Sequence, residues 1–356
     1  MIDFTDLPDQ PEARRLLEAA MGQPGHAYLF SGPPGSGKRR YAERMAASLL
    51  QSNLHRITSR MHPDLFVVEA EGAGIPVERA RELRRDLYLR PFEAARRVYL
   101  VLDAHLLRAE SANALLKSLE EPPSYGVFIL VSDHEERMLP TIRSRVATIP
   151  FHAFSRAQLL EHTGDEVAAR AALGNLVRAE QLANDPAAAQ RRRTYLELAR
   201  TSASDPAFDP AAAASAVTTA ASELGKAVGT RIADEGAEVV REIDDDREKR
   251  AIERRYTERS KRAARRAETD ELREAVDTVG YWNRDRLASQ VGAEGVVVHS
   301  DEAADLALEA GSSPVAESLQ ALGIVSDVRR SLELNVQPAL AVEAMFHRLR
   351  QVAAGR

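Results

Sequence analysis

The stretch GPPGSGKRR, Gly32 to Arg40, holds residue types that bind phosphate. Gly32, Pro33, Pro34, Gly35, Ser36, Gly37 and Lys38 fit the spacing G-x-x-x-x-G-K. Glycines let backbone N–H groups approach phosphate oxygens, the following helix adds the positive end of its dipole, and the lysine neutralises the outer phosphates. The next position of such a loop carries a hydroxyl that holds magnesium, and here it is Arg39. Asp103 closes the apolar run VYLVLDAH and is the type of acid that holds magnesium through water. The glutamate that often follows it to orient an attacking water is Ala104 in this chain. Both losses together argue against hydrolysis and less strongly against binding. ATP with magnesium is therefore expected to bind weakly or not at all.

Two further motifs bear on phosphate chemistry. Ser132 ends the apolar run FILVSD, where a small polar residue can sense a terminal phosphate. In LPTIRSR, Pro140 and Thr141 suit a helix start, with Arg143 and Arg145 close behind. Arginine stabilises a transferring phosphoryl group because its planar charge is permanent and makes paired hydrogen bonds.

The elements that must position these residues alternate. AYLFSG, DLFVVEA, RVYLVLDA, GVFILVSD and ATIPF read as buried strands. Between them lie helical stretches over 38–50, 77–89 and 109–120. This α/β alternation predicts a parallel sheet covered on both faces. After Phe151 strand-like runs become rare and helical spacing dominates. Ser155 to Asn184 reads as a small helical unit closed by Asn184-Asp185-Pro186, and Ser202 to Ala214 as a loop with two Asp-Pro turns. Arg241 to Glu274 is dense in both charges, with apolar residues only at Ile243, Ile252, Tyr256, Ala263 and Leu272. It reads as a solvated helix with one thin buried seam. Acids interleaved with the arginines argue against a nucleic-acid arm. On Val77 to Arg90, Arg81, Arg84 and Arg85 share a face that either tracks DNA phosphates or pairs with Glu78, Glu82 and Asp86.

Composition bounds the rest. The 356 residues are 44% hydrophobic and 29% charged, with net charge −6 and no cysteine. Disulfides, thiol catalysis and thiolate metal sites are excluded. The acidic opening MIDFTDLPDQ lacks the pattern of a secretory leader, and no apolar run of membrane-spanning length appears, so cytoplasmic residence without a membrane partner is expected.

HAYLFSGPPGSGK, HPDL, SANALLKSLEEPP and LPTIRSR occur in that order, and together they resemble the AAA+ clamp-loader subunits of bacterial DNA polymerase III. The decayed nucleotide site and HPDL point to the delta-prime branch. The resemblance implies a P-loop AAA+ domain over 1–152, a helical lid over 153–186, and an all-α collar over 187–356. NVQPALAVEAMFHRLR, residues 335–350, resembles the last collar helix. It further implies a non-hydrolysing subunit in which Arg145 is an arginine finger offered to a neighbouring ATPase, while Arg178 is the second sensor arginine. Implied partners are gamma/tau and delta subunits, the sliding clamp and primer–template DNA. The family's four-cysteine zinc module is missing, and His55 with His62 make a poor metal pair, so no zinc or other metal site is expected. An active gamma/tau-like ATPase and another AAA+ DNA-repair ATPase remain the alternatives.

Overall fold

The central apolar runs become strands because residues on both of their sides are buried: β3 and β4 are covered along their whole length, whereas β5 at the sheet edge is largely exposed. The computed structural model describes residues 2–70, 74–241, 243–333 and 337–354. The chain divides into two units, Met1–Ala183 and Asn184–Arg356.

In the first unit the elements run α1 (Pro11–Gly22), β1 (Ala27–Ser31), α2 (Lys38–Leu49), α3 (Leu54–Thr58), β2 (Leu65–Val68), α4 (Val77–Asp86), β3 (Arg97–Val101), α5 (Ala109–Glu120), β4 (Gly126–Ser132), α6 (Pro140–Arg143) and β5 (Ala147–Pro150). The strands form one parallel five-stranded sheet in the order β2-β3-β4-β1-β5. Alternate residues of β1 serve opposite faces. Tyr28 and Phe30 join one core with Leu17, Tyr41 and Met45, whereas Ala27 and Leu29 join another with Leu83, Leu115 and Phe128. Because β1 lies between β4 and β5, the loop that leaves it opens beside the end of β4, with the end of β3 one strand further on. Three short helices complete the unit: α7 (Arg156–Thr163), α8 (Glu166–Ala171) and α9 (Leu176–Asn184). A capping box between Ser155 and Gln158 starts α7, and the Asp165 side chain starts α8.

The second unit is helical: α10 (Pro186–Ser204), α11 (Pro210–Arg241), α12 (Asp246–Gln290), α13 (Ala303–Ser312), α14 (Val315–Glu333) and α15 (Pro338–Ala354). Its core gathers Tyr195, Val276, Val279, Trp282, Val328 and Phe346. The expected loop over 202–214 shortens to 205–209, because helix runs through Ser204 and resumes at Pro210: the Asp205 side chain turns the loop by accepting from the Ala207 N–H, and Asp209 caps the start of α11. The charged segment is not one helix from Arg241. Arg241 ends α11 and α12 starts at Asp246. The thin seam is present, with Ile252, Tyr256 and Leu272 buried. Asn335 and Val336 of the expected last collar helix lie outside the described residues.

Glycines explain how the seam closes. A Cβ on Gly225 would stand 2.8 Å from the Ala264 carbonyl oxygen, one on Gly229 would stand 3.2 Å from the Ala264 Cβ, and one on Gly236 would stand 2.6 Å from Tyr256. Ser260 Oγ donates to the Gly229 carbonyl at 2.7 Å. The two helices thus pack backbone to backbone. The unit's main apolar core takes α11 only as far as Ala221 and α12 only from Leu272. Beyond those residues the two helices form a long hairpin.

Candidate functional site

The phosphate loop joins β1 to α2. Gly35 and Gly37 take left-handed backbone angles (φ 74° and 82°) that favour glycine, and Gly37 caps α2 without a side-chain acceptor. The first N–H groups of α2 therefore meet no capping side chain, as an anion site requires.

Lys38 is 4% exposed. Its Nζ donates to the Pro33 carbonyl at 2.6 Å and to Ser36 Oγ at 3.3 Å, and it pairs with Asp133 Oδ1 at 2.6 Å. Burial holds the Lys38 ammonium below the ordinary lysine value, opposed first by Asp133 and then by Asp103. Asp103 itself lies two residues past β3 in a left-handed conformation (φ 52°). Ser132 Oγ accepts from the His134 backbone N–H at 3.1 Å and lies 3.3 Å from His105 Nδ1. Burial lowers the His105 pKa, with Asp103 and Asp133 opposing it. The structure thus places Lys38, Asp103 and Ser132 around the mouth of the loop. It adds Asp133 and His105, which sequence reasoning missed although Asp133 directly follows β4 and His105 stands two residues after Asp103.

Arg39 turns elsewhere. Its Nε donates to Glu43 at 2.9 Å, one turn along α2, and its guanidinium lies 3.9 Å from Glu69. Ala104 is buried. These donors suit a phosphate, given the loop, the α2 N-terminus and Lys38. They suit magnesium poorly, because position 39 offers no hydroxyl and its side chain turns to Glu43 instead.

The segment leading into α9 touches the loop directly. Leu176 N–H donates to the Gly35 carbonyl at 2.9 Å, and Asn175 packs so closely that a Cβ on Gly35 would lie 2.1 Å from its side chain. Arg178 is half-buried on α9, with its backbone N–H capped by Asn175 Oδ1 at 3.1 Å. Two residues on, Glu180 receives both arms of Arg40 from α2 and lies 2.9 Å from His162 Nε2 of α7. Burial opposes its ionisation, yet Arg40 and His162 keep the Glu180 pKa below the ordinary value.

Arg145 stands in the turn between α6 and β5. Its NH1 donates to the Thr141 carbonyl at 2.8 Å and to Ser144 Oγ at 3.0 Å, and its Nε donates to Glu120 Oε1 at 2.8 Å. Glu120 ends α5 within SLEEPP, so two motifs distant in sequence meet at this guanidinium, which is 31% exposed. Arg81, Arg84 and Arg85 are all exposed on α4, and Arg81 lies 3.9 Å from Glu78. Among the described residues no three His, Asp or Glu side chains converge as a metal site, and no helix is long and apolar enough to cross a membrane.

With this geometry in place, the comparison with known proteins is direct. Residues 10–155 match the family described as DNA polymerase III, delta subunit. The resemblance carried by the motifs to DNA polymerase III clamp-loader subunits is thereby borne out over the P-loop unit. The chain is 39% identical over 137 residues to DNA polymerase III subunit delta' of Pseudomonas aeruginosa, covering 35% of this chain and 42% of that protein. It is 33% identical over 155 residues to the delta' subunit of Bacillus subtilis, covering 40% and 47%. It is 34% identical over 163 residues to subunit gamma/tau of Mycobacterium tuberculosis, covering 42% and 28%. The chain thus spans less than half the length of these relatives. In fold it is similar to a DNA polymerase III gamma subunit-related protein of Thermotoga maritima, with a TM-score of 0.53 at 16% identity, over 96% of this chain and 99% of that one.

Proposed function

We propose that this chain is a non-hydrolysing subunit of a DNA polymerase III clamp loader. In this reading it works in the cytoplasm beside gamma/tau and delta subunits and helps place a sliding clamp on primer–template DNA. Its catalytic contribution is Arg145, offered to the ATP site of an adjacent subunit. The exposed row Arg81, Arg84 and Arg85 faces DNA phosphates within the ring.

The observation that carries the reading is the loop's disabled chemistry in an intact fold. Arg39 is bonded to Glu43 where a magnesium-holding hydroxyl is needed, and a buried Ala104 follows Asp103. ATP, if held, would sit on Lys38 and the loop N–H groups, with Asp103 as the magnesium acid, Ser132 beside the terminal phosphate and Arg178 from the lid. The competing reading, an active gamma/tau-like ATPase, is favoured by the survival of Lys38 and Asp103.

The test uses the reconstituted clamp loader with clamp and primed DNA. Arg145→Ala should leave assembly intact and lower stimulated ATP turnover by the share of the one site it completes. A finger supplied in trans is worth roughly 10³–10⁵ in rate at that site. Unchanged turnover would make Arg145 structural and defeat the proposal. ATP hydrolysis by the purified chain alone would establish the competing reading.

A further inference from the structure

The outward face of α12 in the hairpin carries a charge pattern invisible in the linear sequence. From Arg247 to Arg266 there are ten lysines and arginines against three glutamates, a net of +7 in a chain of net charge −6. The helix sorts these charges. Ile252, Tyr256 and Ser260 set the seam against α11. Opposite that seam, positions 247, 250, 254, 258, 261 and 265 follow one another three and four residues apart, the spacing of neighbours on one helical face. Five of the six are basic, Arg247, Arg250, Arg254, Lys261 and Arg265, and all five are exposed. The sixth, Glu258, lies 3.3 Å from Lys261. Glu253 falls off this row, toward the flank of the seam. At 1.5 Å per residue the row extends about 27 Å. Exposed Asp244, Asp245 and Asp246 bound its outer end.

We infer that this row binds the phosphate backbone of duplex nucleic acid without reading its sequence. Four arginines and a lysine along one face of a helix can meet a run of phosphates, and such contacts position without specifying. Single strands are held largely by stacking on aromatic side chains. The segment's one aromatic, Tyr256, is 3% exposed, packed on Gly236 with Arg259 over its ring, so no stacking platform faces outward. The inference concerns the second unit alone and does not depend on the role assigned to Arg145.

The experiment measures binding of the purified full chain by fluorescence anisotropy, with a mixed-sequence duplex of about 30 base pairs and with its single strand, between about 50 and 200 mM salt. Five neutralised phosphates should cost the duplex affinity roughly 500-fold over that range. Replacing Arg247, Arg250, Arg254, Lys261 and Arg265 together by Gln should remove most of this salt dependence and weaken binding at about 50 mM salt at least tenfold. Circular dichroism should show the helix content unchanged. No duplex binding by the unsubstituted chain at the lowest salt, preference for the single strand, or full salt dependence in the five-site variant would each overturn the inference.

Discussion

Lys38 already meets a carboxylate of its own chain. With Asp133 at 2.6 Å, a polyphosphate approaching the loop encounters a negative charge on the very ammonium it must bind. Asp133→Asn removes that charge while keeping the shape. We expect it to raise affinity for ATP without magnesium about tenfold, equivalent to about 1.4 kcal/mol, as read by titration with a fluorescent nucleotide. Equal affinity in the two proteins would show that the pair does not oppose nucleotide. On the proposed non-hydrolysing reading, the substitution should create no turnover, because Arg39 and Ala104 are untouched. The sequence made Lys38 and the glycines legible because a phosphate loop is local. Asp133 and Glu120 were not legible as partners. Asp133 reaches Lys38 because β4 pairs with β1, with Ser31 opposite Ser132, and Glu120 reaches Arg145 across 25 residues. Neither proximity follows from spacing along the chain.

At the scale of elements, the strands were readable because double-sided burial leaves continuous apolar runs. The hairpin was half readable. Its apolar seam on α12 showed in the spacing of Ile252 and Tyr256, but the partner surface on α11 consists of what side chains leave out. This gives opposite expectations for the same substitution. Gly236→Ala places a methyl 2.6 Å from Tyr256, and Gly225→Ala places one 2.8 Å from a backbone carbonyl. Each should destabilise the second unit by about 1–3 kcal/mol, overpacking outweighing the gain in helix propensity. Gly323 lies within α14 with nothing within 4 Å of its would-be Cβ. Gly323→Ala should stabilise by about 0.5–1 kcal/mol. Urea unfolding followed by Trp282 fluorescence checks both, since the chain's one tryptophan is buried in this unit.

At the scale of the molecule, each unit carries its own polar frame. In the second unit His299 is fully buried, with Nδ1 2.9 Å from Asp285 Oδ2, and the same oxygen accepts the backbone N–H groups of Val298 and His299. Burial lowers the His299 pKa, opposed by its bond to Asp285, while nearby Arg192 lowers it further and Asp301 raises it. The folded unit therefore keeps the ring neutral, and unfolding takes up a proton once the pH falls below the ordinary histidine value of about 6.5. This contribution is complete above that pH and declines below it, by at most about 1.4 kcal/mol per pH unit. His299→Gln should flatten that acid slope in Trp282-monitored unfolding between about pH 6.5 and 5. An unchanged slope would assign it to other groups. In the first unit the frame is the clasp of Leu176 on Gly35 and Arg40 on Glu180. Viewed as a hinge, this joint is already latched. A ligand that had to open this clasp to reach the loop would find no jaw left to shut. Association would then run at the pace of that opening and level off as ligand concentration rises, instead of climbing in proportion to it.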